Sequence, residues 1–412
     1  MRRRSAGEGL SGMGRAMRIL LISDDPDDPT VGASKVPRKL RDEFRRMGHV
    51  CDVLFSEDLG ERPRAERLRF VVSPLLSYRA VARLWRTSGP YDVVDAAGAE
   101  GWVISLAARM HRLRREQGRP AVVARSHGLE HIYFRELVED HRAGLLRKPW
   151  WRQWWFPATR LRQVAWSFWL ADRAIMLNSG GRAIARERRW QPPECIDLIS
   201  HGVDAERILH APASDAPRGA GVLFSGAWYT GKGTVYLARA HALLLRQGVH
   251  IPLTLLGGGI GYPFEQVERH VRSTFAPESQ PWLTVLPRLS DENAVFALYR
   301  THDFLVCPST AEGFGMVVLE ALSQRLAVVC TSAVGVSERL RAETNALIVP
   351  ARDVEALAAA MARLWQDAGL RRALAEAGYQ WARGYTWRYA AENTLAAYAA
   401  ALARVAPRSG VQ

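Results

Sequence analysis

The chain has 412 residues, 48% hydrophobic and 24% charged, an ordinary globular composition with room for about two domains. Its net charge of +14 favours phosphate-bearing or anionic partners without choosing among them. No apolar run approaches the ~20 residues that cross a bilayer, and residues 1–18 lack the apolar core of a secretory signal.

In chain order, residues 1–16 read as a disordered basic tail. An apolar strand is expected at 18–22, then a loop over 23–35, a helix at 36–47 and a strand at 50–54. Apolar runs at 91–94, 121–125, 174–177 and 195–199 continue the series, which makes 17–205 one domain of alternating strands and helices. Pro212, Pro217, Gly219 and Gly221 mark a linker near 204–218. A second series begins at 222–225 and recurs at 253–256, 283–286, 304–307, 327–330 and 346–349, followed by long Ala-rich helices from 354 to about 405. The second domain spans 206–385, and residues 386–412 are read as a terminal helix that crosses back to the first. The expected class is α/β, two Rossmann-like βαβ domains facing across a cleft, with ligands bound beyond the carboxyl ends of the strands. Cys51, Cys195, Cys307 and Cys330 form no CxxC pair and read as buried reduced thiols, which suits the cytoplasm.

The strongest local signal lies at 308–321. There an apolar strand ends in a loop carrying Glu312, then Gly313-Phe314-Gly315, then a helix with Glu320 about two turns in. Glycines let backbone approach a ligand, and a helix start offers free N–H groups to a phosphate. Glu312 suits sugar hydroxyls and Glu320 a second polyol such as a ribose. The run 222–233 is a strand, then Ser225-Gly226, then Lys232-Gly233, a point charge suited to a diphosphate. It nearly matches GxxxxGK[ST], but Gly233 stands where the magnesium-binding hydroxyl should be. Gly257, Gly258 and Gly259 follow another strand without the GxGxxG spacing of a dinucleotide site.

These residues resemble the retaining glycosyltransferases of family four, which have the GT-B fold. Glu312 and Glu320 fit the family's E-x7-E motif, supported by Gly226, Lys232, the Gly257–Gly259 cluster and an inter-domain segment, Ile199-Ser200-His201-Gly202-Val203-Asp204. In the first half, Arg125-Ser126-His127-Gly128-Leu129-Glu130-His131 and Val31-Gly32-Ala33-Ser34 are similar to its strand-end histidine motif and first glycine loop. The resemblance implies a hexosyltransferase-like enzyme of glycan biosynthesis that takes a UDP- or GDP-sugar as substrate and needs no cofactor and no metal. It implies catalytic roles for Glu312, His127 and Lys232. Donor binding falls to Gly226, Lys232, Gly257, Gly258, Gly313, Phe314, Gly315 and Glu320. Gly32, Ala33 and His127 lie on the acceptor side. The chain departs from the pattern at Ala227, where the family usually has arginine, at Arg325-Leu326-Ala327 in place of Gly-Leu-Pro, and at His201 in place of asparagine. A nucleotide-sugar epimerase and a non-catalytic binding or scaffold protein are the alternatives, the latter favoured by Ala227.

Asp25-Pro26-Asp27 formally matches a DxD metal motif, but it follows the first strand and reads as a polar acceptor-side loop. Four of the fourteen tryptophans, Trp150, Trp151, Trp154 and Trp155, fall within six residues. On a helix they would share one side, and with Arg147, Lys148, Arg152, Arg160 and Arg162 they suit docking on the inner face of an anionic membrane beside a glycan or lipid-linked acceptor. No nucleic-acid fold motif accompanies them.

Overall fold

The computed structural model describes residues 15–28, 32–63, 65–113, 118–146, 150–208, 218–258 and 262–406. The expected tail up to residue 14, Val31, Arg147, Lys148, Gly259 and residues 209–217 of the expected linker lie outside these.

Two six-stranded sheets form the cores, with every pair of neighbouring strands parallel. The first contains β1 (Arg18–Ile22), β2 (Val50–Leu54), β3 (Val93–Ala97), β4 (Ala121–Arg125), β5 (Arg173–Met176) and β6 (Ile196–Leu198), in the order β2-β1-β3-β4-β5-β6. The second contains β7 (Val222–Gly226), β8 (Leu253–Gly257), β9 (Leu283–Leu286), β10 (Phe304–Cys307), β11 (Ala327–Thr331) and β12 (Leu347–Val349), in the order β12-β11-β10-β7-β8-β9. Helices cover both faces, so central strands such as β3, β4 and β11 are buried along their whole length. That double burial is why they appear in the sequence as continuous apolar runs and not as alternating ones.

Boundaries shift where backbone chemistry intervenes. The run at 195–199 becomes a three-residue strand because Pro193–Cys195 forms a 3-10 turn, and Pro193 has no N–H for a ladder. The helix expected at 36–47 runs Gly32–Arg46, so the glycine loop is its first turn. A first turn needs no intrahelical donors, and Gly32, Ala33 and Ser34 can form it without a strong start signal.

Strand order reverses between β1 and β3 in one sheet and between β7 and β10 in the other. The loops leaving these strands diverge to opposite faces and open the crevices where open α/β sheets bind ligands.

Two connections join the halves. The segment after β6 meets the chain before the last helix: Val203 N–H donates to the Tyr385 carbonyl (3.0 Å) and Trp387 N–H to the Val203 carbonyl (3.1 Å). Gly202 permits the crossing, since a Cβ there would lie 2.3 Å from Trp387 N. The helix Trp387–Val405 then lies against the first sheet, with Trp387, Leu395 and Tyr398 in one core with Ile19, Val93 and Val123. Beneath it Arg125 pairs with Asp95 (2.6 Å), and the Tyr398 hydroxyl donates to the same carboxylate (2.5 Å). Breaking such a buried pair strands a charge, at a cost of about 3–5 kcal/mol. Arg125, the first residue of the histidine motif, is thus a structural residue.

The tryptophan-rich segment folds as a helix, Trp150–Phe156, a wider turn, Pro157–Leu161, and a helix, Arg162–Leu170. The expectation of one outward tryptophan side is corrected here. Trp151 is half-buried under the Arg67 guanidinium (4.1 Å), Trp155 is half-buried, and Trp154 is exposed, while the Trp150 side chain lies outside the description. Arg160 does not reach solvent either. It is buried between Asp24 (2.7 Å), Glu100 (3.2 Å) and Glu130 (2.9 Å).

Candidate active site

A cavity of about 470 Å³ opens between the two sheets. The second domain contributes the ends of β7 and β8, through Gly226, Ala227, Gly257 and Gly258, and the loop after β10, through Glu312, Phe314 and Gly315. The first domain contributes Gly32, Ala33 and Lys35 from the start of its first helix, and His127 from the end of β4.

Glu312 and Lys232 meet here. Their side chains are 17% and 22% exposed and form a short ion pair. Burial pushes the Lys232 ammonium toward neutrality, but the Glu312 carboxylate outweighs it and holds the lysine well above its usual range. Lys232 is therefore a fixed positive charge, neutralised by its partner Glu312. Gly315, at φ +92°, turns the chain into the helix Met316–Ser323, whose first residues Met316 and Val317 line the cavity. A side chain there would be strained and would also meet Val334 at 2.4 Å.

Glu320 is the fifth residue of that helix, closer to its start than the sequence suggested. Its carboxylate accepts from the Tyr299 hydroxyl (3.1 Å) and from Lys35 of the first domain (2.7 Å). Lys35 also pairs with Glu292 (2.9 Å). Burial opposes its charge, yet Glu320 and Glu292 together raise its affinity for the proton. Glu320 thus lies beside a cation supplied from across the cleft.

Gly313 is absent from the cavity lining and sits at the domain contact. Its N–H donates to the Tyr133 hydroxyl (2.9 Å), and its carbonyl accepts from Asn178 (2.7 Å). A Cβ there would lie 2.5 Å from the His127 carbonyl. The N–H expected to meet a phosphate is instead engaged by the first domain. Phe314 lines the cavity, but only 2% of it is exposed, and it packs edge-on against His201 (5.4 Å). Its contribution is to the wall.

His127 is half-buried, and its Nδ1 has no partner. Burial, with help from Arg125, pushes its pKa down to about 4, so the imidazole is neutral near pH 7 and can accept or donate a proton-sharing contact. His131 instead packs at a tilt against Trp190 (4.9 Å), outside the cavity. Asp24 is tied to Arg160 and Asp27 to Arg38, while burial and Asp24 push Asp25 up to about 6.

Sequence reasoning missed Lys35, Tyr133, Tyr299 and Arg288, which also line the cavity. Lys35 was one residue from a recognised signal, directly after Gly32-Ala33-Ser34. Tyr133 lies six residues beyond His127 on the helix Glu130–Arg142. Nothing local marked Arg288 or Tyr299.

Residues 31–207 match the model described as Glycosyltransferase Family 4, and residues 219–367 match Glycosyl transferases group 1. Two D-inositol 3-phosphate glycosyltransferases are among the similar curated proteins. The one from Pseudarthrobacter chlorophenolicus is 31% identical over 219 residues, 51% of each chain. The one from Kribbella flavida is 27% identical over 222 residues, 50% of this chain and 51% of the relative. The chain thus spans about half the length of the curated relatives it matches. Among solved structures, sucrose-phosphate synthase from Thermosynechococcus elongatus superposes with a TM-score of 0.70 at 20% identity, covering 94% of this chain and 100% of the other. HepE from Anabaena, in complex with UDP and glucose, gives 0.63 at 15% identity, covering 92% and 98%. The fold is the two-domain Rossmann-like arrangement of the GT-B glycosyltransferases.

Proposed function

We propose, because residues 31–207 and 219–367 match glycosyltransferase family models, that the chain moves a sugar from a UDP- or GDP-linked donor to a glycan or lipid-linked acceptor with retention of anomeric configuration. The observation that carries this reading is the ion pair of Lys232 and Glu312 at the β7/β10 reversal, with Glu320 beyond it and His127 opposite. The complex of the Anabaena relative with UDP and glucose supports a nucleotide-sugar donor.

In this reading the donor diphosphate takes over Lys232, and Glu312, released from its pair, accepts the sugar hydroxyls. Glu320 holds the ribose. Gly226, Gly257 and Gly258 keep the strand ends low enough for the nucleotide to lie across them. The bond from the anomeric carbon to the diphosphate oxygen breaks, and the acceptor oxygen bonds to that carbon on the same face. The acceptor proton passes to the departing diphosphate. Negative charge grows on the leaving group, and Lys232 with the first turn of the helix Met316–Ser323 is prearranged to meet it. These groups do the work of a divalent cation, so no metal is required. Neutral His127 orients the acceptor hydroxyl, with Gly32 and Ala33 beside it.

Two measurements test the finer points. The anomeric proton of the transferred sugar, read by NMR in the glycoside product, should keep the donor's configuration, and turnover should persist in EDTA. An inverted product refutes retention. Turnover that needs added magnesium refutes the metal-free reading and returns attention to Asp25 and Asp27.

A further inference from the structure

Three helices of the first domain, Glu66–Ser88, Gly101–Arg109 and Arg162–Leu170, pack side by side over one face of its sheet. Their inner sides are buried through residues such as Val81, Ile104 and Phe168. Their outer sides are unusual. Of the twelve large hydrophobic side chains exposed among the described residues, eight lie on these helices, just past their ends or on the adjoining helix Trp150–Phe156. Scattered exposed apolar residues need no explanation, but a concentration on one face does.

The spacing makes it a surface. Leu68, Val71 and Leu75 recur at three and four residues, one outward stripe of the first helix, exposed by 56%, 37% and 45%. Trp166 and Trp169, exposed by 44% and 60%, form the corresponding stripe of the third, continuing from Arg162. Trp166 contacts Trp102 of the middle helix edge-on at 5.5 Å, which joins the stripes. Trp154, on the adjoining helix Trp150–Phe156, is 52% exposed.

The charges on this face have one sign. The helix Glu66–Ser88 carries Arg67, Arg69, Arg79, Arg83 and Arg86, and its only acid, Glu66, is paired with Arg152 (2.7 Å). Residues 150–170 contain no acid, and of their arginines Arg162 is exposed, Arg152 is the partner of Glu66 and Arg160 is buried among carboxylates away from this face. A twofold contact between copies would set arginine against arginine, which disfavours self-association. Exposed tryptophans beside aliphatic residues and arginines match the interfacial zone of an anionic bilayer. Among the described residues no helix is long and apolar enough to cross a membrane.

We propose that this three-helix face docks the protein on an anionic lipid bilayer, with Trp154, Trp166, Trp169 and the Leu68–Leu75 stripe entering the headgroup region and the arginines engaging lipid phosphates. The proposal is independent of the sugar-transfer reading, because it rests on the opposite side of the domain's helical layer from the core and on no cleft residue. It also differs from an amphipathic Trp150–Trp155 helix, since Trp151 and Trp155 are largely covered.

Flotation of the full chain with phosphatidylglycerol/phosphatidylcholine vesicles at low salt tests it. The wild type should float with these vesicles, not with phosphatidylcholine alone, and salt should release it. Trp154→Ser with Trp169→Ser, and separately Arg79→Glu with Arg86→Glu, should each lower binding by roughly tenfold or more, since each surface arginine contributes about a fivefold factor. Both pairs are exposed, so thermal midpoints should stay at the wild-type value. Quenching of wild-type tryptophan fluorescence by brominated phosphatidylglycerol gives a reading that needs no variant. The proposal is overturned if the wild type stays unbound and unquenched, if both pairs bind as the wild type does, or if these substitutions instead dissolve a dimer.

Discussion

Glu312→Gln should reduce sugar transfer by about a hundredfold or more, the scale of losing a single group that meets the transition state, while nucleoside diphosphate binding persists. The substitution keeps the shape of the side chain and removes its charge. Glu312 neutralises Lys232, so the variant leaves that ammonium without a counter-charge and available. Diphosphate affinity should therefore hold or rise, even as turnover collapses. A general disruption of the site would lower both. Calorimetric titration with UDP and GDP beside a turnover assay separates the cases, and a variant with wild-type turnover would remove Glu312 from the chemistry.

Lys232→Ala should weaken nucleoside diphosphate binding by about ten- to a hundredfold. A charge-assisted hydrogen bond contributes roughly 1.5–3 kcal/mol, and the loss has a second source here. Without Lys232 the half-buried Glu312 carboxylate faces the diphosphate uncompensated. The double variant Lys232→Ala/Glu312→Gln should then bind the nucleotide more tightly than Lys232→Ala alone, although neither transfers sugar. Equal affinities for the two variants would mean that the repulsion is absent, and unchanged affinity in Lys232→Ala would mean that the diphosphate lies elsewhere. Ala227, at the position where an arginine was expected, leaves Lys232 and Lys35 as the lysines lining the cavity, with Arg288 on the second-domain side.

Local pattern carried much of this in the sequence. Apolar runs marked all twelve strands, most clearly the central ones such as β3, β4 and β11, which are covered on both faces and therefore largely apolar along their length. The loops with Glu312, Lys232 and His127 stood out because glycine and charge directly follow such runs. What stayed hidden was non-local. Lys35 meets Glu320 across 285 residues, and Tyr133 meets the Gly313 N–H across 180. No spacing in the chain encodes either contact, since each depends on how two folded sheets face one another. The same holds for the tryptophan segment. Its composition suggested a surface, but which rings are covered is decided by Arg67 and by the neighbouring helices.

The central claim is that the cleft transfers sugar and does more than bind a nucleotide. It is tested most directly by incubating the full chain with UDP- and GDP-linked sugars, with and without glycan or lipid-linked acceptors, and following nucleoside diphosphate release. The account predicts release that depends on an acceptor, requires the donor sugar and is lost in Glu312→Gln. Tight nucleotide binding with no release under any acceptor would make the protein a binding module, and interconversion of the donor sugar without release would make it an epimerase. Either result would contradict the account.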